Sequence, residues 1–392
     1  MSEKKPNNID ERLSGLEDRL LEDGGAEIQT ASELEPYSKI LQGKPIHGLI
    51  ASSTAHSNIQ LNAVTHAGTM QSEGVLITID EEAIQNISAQ TFKVLILLLR
   101  AATIQLPRAN AITAEAINKG RKVQIPLAKY MEACRIKDAK EARTQLNAAI
   151  KALYAVSLEW DEIVYEKPEG KSRKVKTKQH HRMRISDHTI TQEEGNPVKH
   201  GVAEFRLSFD MAEYLSNSYI MPYPDALLSI NTHYHPYSIP LGWRLCTLHN
   251  INAGTARANT TTVKTLLSAA KGIPRYSDIA QQGHIYERLI SRLDRDLAAL
   301  VEAGVLSTYW YFDSNNTRIE GGYYKDGKYT ESGKLGLLSY TEFSALYIHY
   351  ELKNYPDPTP RLEAKSKRIK AAINHGKNAA KKHTDETGDG AQ

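Results

Sequence analysis

Two cysteines in 392 residues leave no material for a disulfide framework or a cysteine-rich zinc cluster. Cys134 ("KYMEACRI") and Cys246 ("GWRLCTLH") lie more than a hundred residues apart among apolar neighbours, so both are expected as reduced, buried thiols in a reducing compartment. Long apolar runs are also missing. The longest candidate, "FKVLILLLRAATIQL", is broken by Arg100 and falls short of the ~18 residues that span a bilayer. The polar N-terminus has no signal-peptide core. These absences predict a cytoplasmic protein with no membrane partner. No Gly-x-x-x-x-Gly-Lys-[Ser/Thr] loop supports an ATPase motor, no Cys/His grouping has zinc-finger spacing, and nothing marks a Ser-His-Asp set. The expectation is a binding protein with no cofactor, no resident metal and no catalytic residues.

A strong net charge is absent as well: 49 Lys and Arg against 46 Asp and Glu leave +3. The charges are nevertheless unevenly placed. The start is acid-rich ("IDERLSGLEDRLLEDGGAE") and the end lysine-rich ("EAKSKRIKAAINHGKNAAKKH"), an asymmetry that points to a polyanionic partner.

What is present is patterning. Residues 1–73 show little periodicity and are expected as a flexible or poorly defined region. "GVLITID" alternates Val75, Ile77 and Ile79 as a strand, and "SAQTFKVLILLLRAA" reads as a buried helix opening at Ser88. "VQIPLAKYMEACRI" follows as a brief extended piece and a short helix. "DAKEARTQLNAAIKALYAV" carries an Asp138-x-x-Glu141 capping box and an apolar stripe at Ala142, Leu146, Ile150 and Leu153. Two strand-like segments then flank a basic loop. The second half repeats the order in "PLGWRLCTLHNIN", "TTTVKTLLSAAKG", "HIYERLISRLDRDLAALVEAG", "VLSTYWYF" and "SALYIHYEL". The predicted class is α+β: two tandem winged helix-turn-helix domains over 74–215 and 216–360, joined near 215–240, with a basic tail over 361–392.

Candidate DNA-binding residues follow from that order. The polar face of the third helix offers Lys140, Arg143, Thr144, Asn147 and Lys151: Arg pairs with guanine edges, Asn with adenine, Lys and Thr with phosphates. An ordinary solvated face has the same composition. From Glu166 to Arg184, eight Lys or Arg against two Glu, among them Lys171, Arg173, Lys174, Lys176, Lys178 and Arg182, read as a wing that tracks a phosphate backbone. In the second half Arg288, Arg292 and Arg295 recur at helical spacing, with Glu287, Asp294 and Asp296 interleaved, so intrahelical salt bridges are the alternative. His233-Tyr234-His235 would place two imidazoles on one face of a strand for a divalent metal, and "YELK" would supply Tyr350 as the nucleophile of a rolling-circle nickase. Pro236 makes the histidine segment turn-like, however, and no third ligand is evident.

With "TFKVLILLLRAA", "VQIPLAKYMEACRIKDAKEARTQLNAAIKALYAVSLEW", "VAEFRLSFDMAEYL", "LGWRLCTLHNIN", "TVKTLLSAAKGIP" and "YERLISRLDRDLAALVEAGVLSTYWYF" in view, the chain resembles plasmid-type replication initiators built from tandem winged-helix domains. The ending "LYIHYELKNYPDPTPRLEAKSKRI" looks like that of related proteins on mobile elements of Firmicutes. The likeness covers roughly residues 75–365. It implies binding of double-stranded DNA at origin repeats, local melting, recruitment of the host replicative helicase or its loader, and a homodimer that switches to monomer, with no bond breaking. A transcriptional regulator on the same fold is the neighbouring expectation. The basic loop at 166–184 and the stretch before residue 73 depart from the pattern.

Overall fold

The computed structural model describes residues 37–356 apart from 53–59, 63–66, 73, 85–86, 109–110, 167–174, 188–196, 254, 256, 271 and 281–282. The expected basic tail and most of the expected N-terminal leader lie outside the described residues. The chain divides into two units, Met1–Pro236 and Tyr237–Gln392. Both are α+β.

The first unit runs β1 (Tyr37–Gln42), α1 (Lys44–Ala51), β2 (Gln60–Asn62), β3 (Ala67–Ser72), β4 (Val75–Asp80), α2 (Glu81–Ile84), α3 (Ala89–Gln105) and α4 (Ala114–Gly120). It continues with β5 (Lys122–Pro126), α5 (Leu127–Cys134), α6 (Ala139–Tyr154), β6 (Val156–Glu166), β7 (Val175–Arg184), β8 (Val198–Lys199), β9 (Val202–Arg206), α7 (Phe209–Asn217) and β10 (Tyr219–Pro224). Helix α3 is apolar on every side and sits in the core, with Phe92 and Val94 through Leu99 all buried. Thr91 Oγ1 accepts from Ser88 N–H at its start, 3.1 Å away. Lys93 is buried in the same helix. It is tolerated there because its ammonium donates to the Ile230 carbonyl at 2.6 Å, and burial lowers its pKa. Helix α6 opens at Asp138, whose Oδ1 accepts from Lys140 N–H at 2.8 Å, and its stripe Ala142, Leu146, Ile150 and Leu153 is fully buried.

Three sheets serve this unit. β5–β9–β8 is antiparallel and packs with the helices, and its β8–β9 connection is a two-residue turn at His200 and Gly201, both with positive φ (51° and 83°). β2–β3–β4–β6–β7 is a second antiparallel sheet, and β1 pairs with β10. Two expectations change here. Residues 37–72, expected without structure, supply three strands and a helix. Residues 219–224, expected with the second domain, form β10 in the first unit because their partner strand is β1. The hairpin after α6 is present (β6 with β7, ten paired positions) but does not join the β5–β9–β8 sheet. The reason is burial: Val156, Leu158 and Trp160 on β6 need the apolar face of β4, where Val75, Ile77 and Ile79 alternate inward. The basic loop 167–174 at the tip of that hairpin lies outside the described residues.

The second unit runs α8 (Ser238–Ile251), β11 (Thr260–Thr262), α9 (Val263–Ala269), α10 (Tyr276–Ile279) and a π turn (Tyr286–Ile290) leading into α11 (Ser291–Glu302). Then come β12 (Leu306–Phe312), β13 (Arg318–Glu320), β14 (Tyr323–Lys325), β15 (Lys328–Thr330), α12 (Tyr340–Ala345) and β16 (Tyr347–Leu352). Thr262 Oγ1 caps α9, accepting from Thr265 N–H at 3.1 Å. Gly304, at φ 80°, ends α11: Val305 N–H reaches back to the Leu300 carbonyl at 2.9 Å and Gly304 N–H to Val301 at 3.0 Å, a Schellman closure. The sheet order is β11–β16–β12–β13.

One sub-order recurs. In each unit a helix, a short strand, two further helices (with the one-turn α10 between them in the second unit) and two strands follow one another, and the last strand lies between the first and second: β5–β9–β8 in one, β11–β16–β12 in the other. The first unit inserts β6–β7 before its second strand, and the second unit inserts β13, β14–β15 and α12 before its last. Cys134 and Cys246 are free and buried, as expected. Among the described residues no helix is long and apolar enough to cross a membrane.

Candidate nucleic-acid interface

The short helix α5 ends at Arg135 in the left-handed region (φ 53°), and Ile136 N–H bonds back to the Met131 carbonyl at 2.9 Å. That turn swings the chain into α6 and leaves the first turns of α6 in solvent. Lys140, Arg143, Thr144 and Lys151 are exposed on α6, and Arg135 and Lys137 are exposed in the turn before it. Among the described residues none of these five cations is in an ion pair. The nearest acids are engaged elsewhere: Asp138 caps the helix, and Glu141 accepts from Gln145 Nε2 at 2.8 Å. At about 1.5 Å of rise per residue the cationic face runs roughly 16 Å from Lys140 to Lys151. Thr144 Oγ1 donates to the Lys140 carbonyl at 3.0 Å, which leaves its oxygen lone pairs outward.

Asn147 differs from its expected role. It is buried, and its Oδ1 accepts from Val198 N–H at 2.9 Å. The amide ties α6 to the first residue of β8, and so holds Lys199 and His200, both exposed in the tight β8–β9 turn, beside the helix. Sequence reasoning missed this pair. "VKHGV" carried a signal, a His-Gly step between two valines, but the long basic stretch upstream drew the wing assignment.

The β6–β7 hairpin is charge-balanced where it is described. Lys178 Nζ lies 2.8 Å from Asp161, and Arg184 lies 3.2 Å from Asp80. His180 stands between Asp161 and Glu159, 3.1 Å from each. The bond to Asp161, then that to Glu159, holds the imidazole pKa above its usual value, while Lys178 and His180 hold Asp161 low. Arg182 is exposed and lies opposite Glu159 across the ladder. Lys176 is in β7, and Lys171, Arg173 and Lys174 lie outside the described residues.

Helix α11 is a different surface from α6. Arg288, Arg292 and Arg295 are half-buried, and Arg292 Nη1 reaches the Tyr237 hydroxyl at 3.5 Å. Asp294 and Asp296, expected as solvated salt-bridge partners, are fully buried. Asp296 Oδ2 accepts from Tyr237 N–H at 2.6 Å. Asp294 accepts from the hydroxyls of Tyr309 (2.8 Å), Tyr311 (3.0 Å) and Tyr329, and from Gly322 N–H (2.8 Å). Burial raises the Asp294 pKa, and the four donors offset part of that rise. The partners sit 15 to 35 residues downstream, so the spacing of charges along the helix carried no sign of them.

The His-Tyr-His segment is a turn. His233 and Tyr234 are exposed, with their rings edge to face at 5.1 Å. Tyr350 lies inside the β11–β16–β12 sheet, buried, its hydroxyl donating to the Leu245 carbonyl at 3.1 Å, and burial pushes its pKa up. A nucleophilic phenol needs access to substrate and an easily lost proton, and Tyr350 has neither here. Among the described residues no group of three or more His, Cys, Asp or Glu is placed to hold a metal ion.

No protein-family model matches the chain and no curated protein matches it. Among solved structures it is similar to domains 2 and 3 of RctB, with a TM-score of 0.35 and 11% identity over 78% of this chain and 98% of that one. A second RctB structure, spanning its residues 155–483, gives 0.32 and 9% over 77% and 96%.

Proposed function

We propose that the protein is a sequence-specific double-stranded DNA-binding protein of the replication-initiator type, with a winged helix in each unit. The observation that carries the DNA-binding part is the cationic face of α6, which makes no ion pair among the described residues and is held next to the Lys199-His200 turn by the buried Asn147 tie. A helix about 16 Å long on its cationic side fits a major groove. In this reading Arg143 and Lys140 at its leading turns serve as base-edge and phosphate contacts, and Lys151, Lys199 and His200 as phosphate contacts. The recurrence of the first–last–second strand order supports reading both units as winged helices. The initiator role, with origin repeats, melting, helicase recruitment and a homodimer, rests on the family resemblance of the sequence alone.

A footprint on DNA flanking the gene tests the reading: repeated protected sites are expected, lost in Lys140→Ala/Arg143→Ala. Absence of protected sites for the unaltered protein sinks it. A plasmid bearing only this gene and its flanking DNA then separates initiator from transcriptional regulator, since a regulator does not sustain replication.

A further inference from the structure

The second unit hides the helix that its topology equates with α6. From Arg288 to Val301 no side chain of the π turn or of α11 is exposed. Part of the cover is the insertion between β12 and β16. Asp294 receives Gly322 N–H just before β14 and the Tyr329 hydroxyl within β15, so both strands of the β14–β15 hairpin are pinned to the helix. Further along, Glu331 hydrogen-bonds with Tyr286, and the Tyr286 ring lies where a side chain at Gly336 would meet it. The exposed residues at the leading end of the helix, His284 and Glu287, include an acid that repels phosphate.

We propose that the β14–β15 hairpin, in place of α11, is the nucleic-acid contact of the second unit, and that its ligand is the phosphate backbone of duplex DNA. The proposal rests on the DNA-binding reading above. Pinned at its base, the hairpin ends in a two-residue turn, Asp326-Gly327, with φ of 51° and 72°. This turn sets Lys325 directly opposite Lys328 in the ladder. Both lysines are exposed, as is Lys334, and among the described residues none of the three is in an ion pair. Like charges placed opposite one another cost stability, and Asp326 offsets only part of this at the turn. A phosphate oxygen between the two ammonium groups converts that repulsion into attraction. Tyr323, 56% exposed, stands next in line to the lysines and offers a hydroxyl to the same strand.

The chemistry favours phosphate over bases. Lysine is a flexible point charge, and the hairpin tip lacks the Arg, Asn or Gln whose paired donors read base edges. Its contribution is therefore indifferent to sequence.

The test is salt-dependent binding of the full chain to a duplex carrying its footprinted site and to a scrambled duplex. With Lys325→Ala/Lys328→Ala/Lys334→Ala, affinity is expected to fall by the same factor on both, and the slope of log K against log salt to shrink by about 0.9 for each phosphate no longer neutralised. Removal of the opposed lysines should leave the thermal midpoint equal to or above that of the unaltered protein. Unchanged affinity and slope, a loss confined to the specific duplex, or a lowered midpoint overturns the proposal. Lys140→Ala/Arg143→Ala separates the two readings. If that variant loses specific binding while the lysine variant behaves as wild type, only the hairpin is dismissed; if the unaltered protein binds neither duplex, the proposed function falls too.

Discussion

The two units carry the same order of elements and use it oppositely. In the first, the insertion β6–β7 is drawn onto a separate sheet by the buried faces of Trp160 and Val75, and the cationic face of α6 is left exposed. In the second, the insertion folds back on α11 and is held there by a buried carboxylate. Where an inserted hairpin finds its apolar partner thus decides whether the neighbouring helix meets solvent or protein. A cationic helix left bare is available to a polyanion, whereas a helix with every side chain at least half-covered is a structural beam.

Four experiments can break or sharpen that contrast. The largest effect is expected for Asp294→Ala, which takes the acceptor from the Tyr311 and Tyr329 hydroxyls and the Gly322 amide, while the Tyr309 hydroxyl keeps the Gly322 carbonyl at 2.9 Å. At about 1–3 kcal/mol for an unsatisfied buried group, the second unit should lose roughly 3 kcal/mol or more of unfolding free energy in urea, while the first unit keeps its hydrogen-exchange protection. An equal loss in both units would show that the carboxylate clasp is not local to the second.

Next are the paired arginine variants: Arg143→Ala should weaken specific DNA binding by about 1–3 kcal/mol, and Arg292→Ala should leave it unchanged and lower stability instead. Equal effects on binding would place both helices on DNA. Asn147→Ala should cost about 1–2 kcal/mol by stranding Val198 N–H, visible as faster exchange of that amide before any other in the first unit.

The smallest effect concerns pH. His180 has a raised pKa in the folded hairpin, so its contribution is present below the unfolded value and is lost as pH rises through the folded one. Asp161 has a lowered pKa, so its contribution is lost in acid. Protection of the β6–β7 amides should therefore weaken at both ends, and a His180→Gln variant should lose the alkaline limb and keep only that part of the acid limb that Lys178 supports.

Much of the helical scaffold was legible because local chemistry marks it. Asp138 before an apolar stripe gives α6, Ser88 before an all-apolar run gives α3, and Gly304 gives the end of α11. Alternating Val75, Ile77 and Ile79 give β4. What escaped is what depends on distant partners. The strands over 37–72 have no pattern of their own and exist because of β4 and β10. Asn147 looked like a base reader because nothing nearby betrays the Val198 amide that claims it. Asp294 looked solvated for the same reason, although one compositional trace was there: 20 tyrosines against 5 phenylalanines, an excess of hydroxyls that need acceptors when buried. The cationic face of α6 was legible in Lys140, Arg143, Thr144 and Lys151, whereas the β8–β9 turn beside it was not, because only the buried Asn147 tie brings the two together.

The pairing of β1 with β10 sets a schedule for the growing chain. Ser38 Oγ donates to Asp225 Oδ1 across 187 positions, and Tyr37 faces Pro224. Closing so long a loop is entropically costly and kinetically late, while most pairings in the second unit join residues within about a hundred of one another. On the ribosome the first unit cannot seal its edge until residue 224 has emerged. The unit synthesised first is therefore expected to finish folding only as synthesis of the second begins.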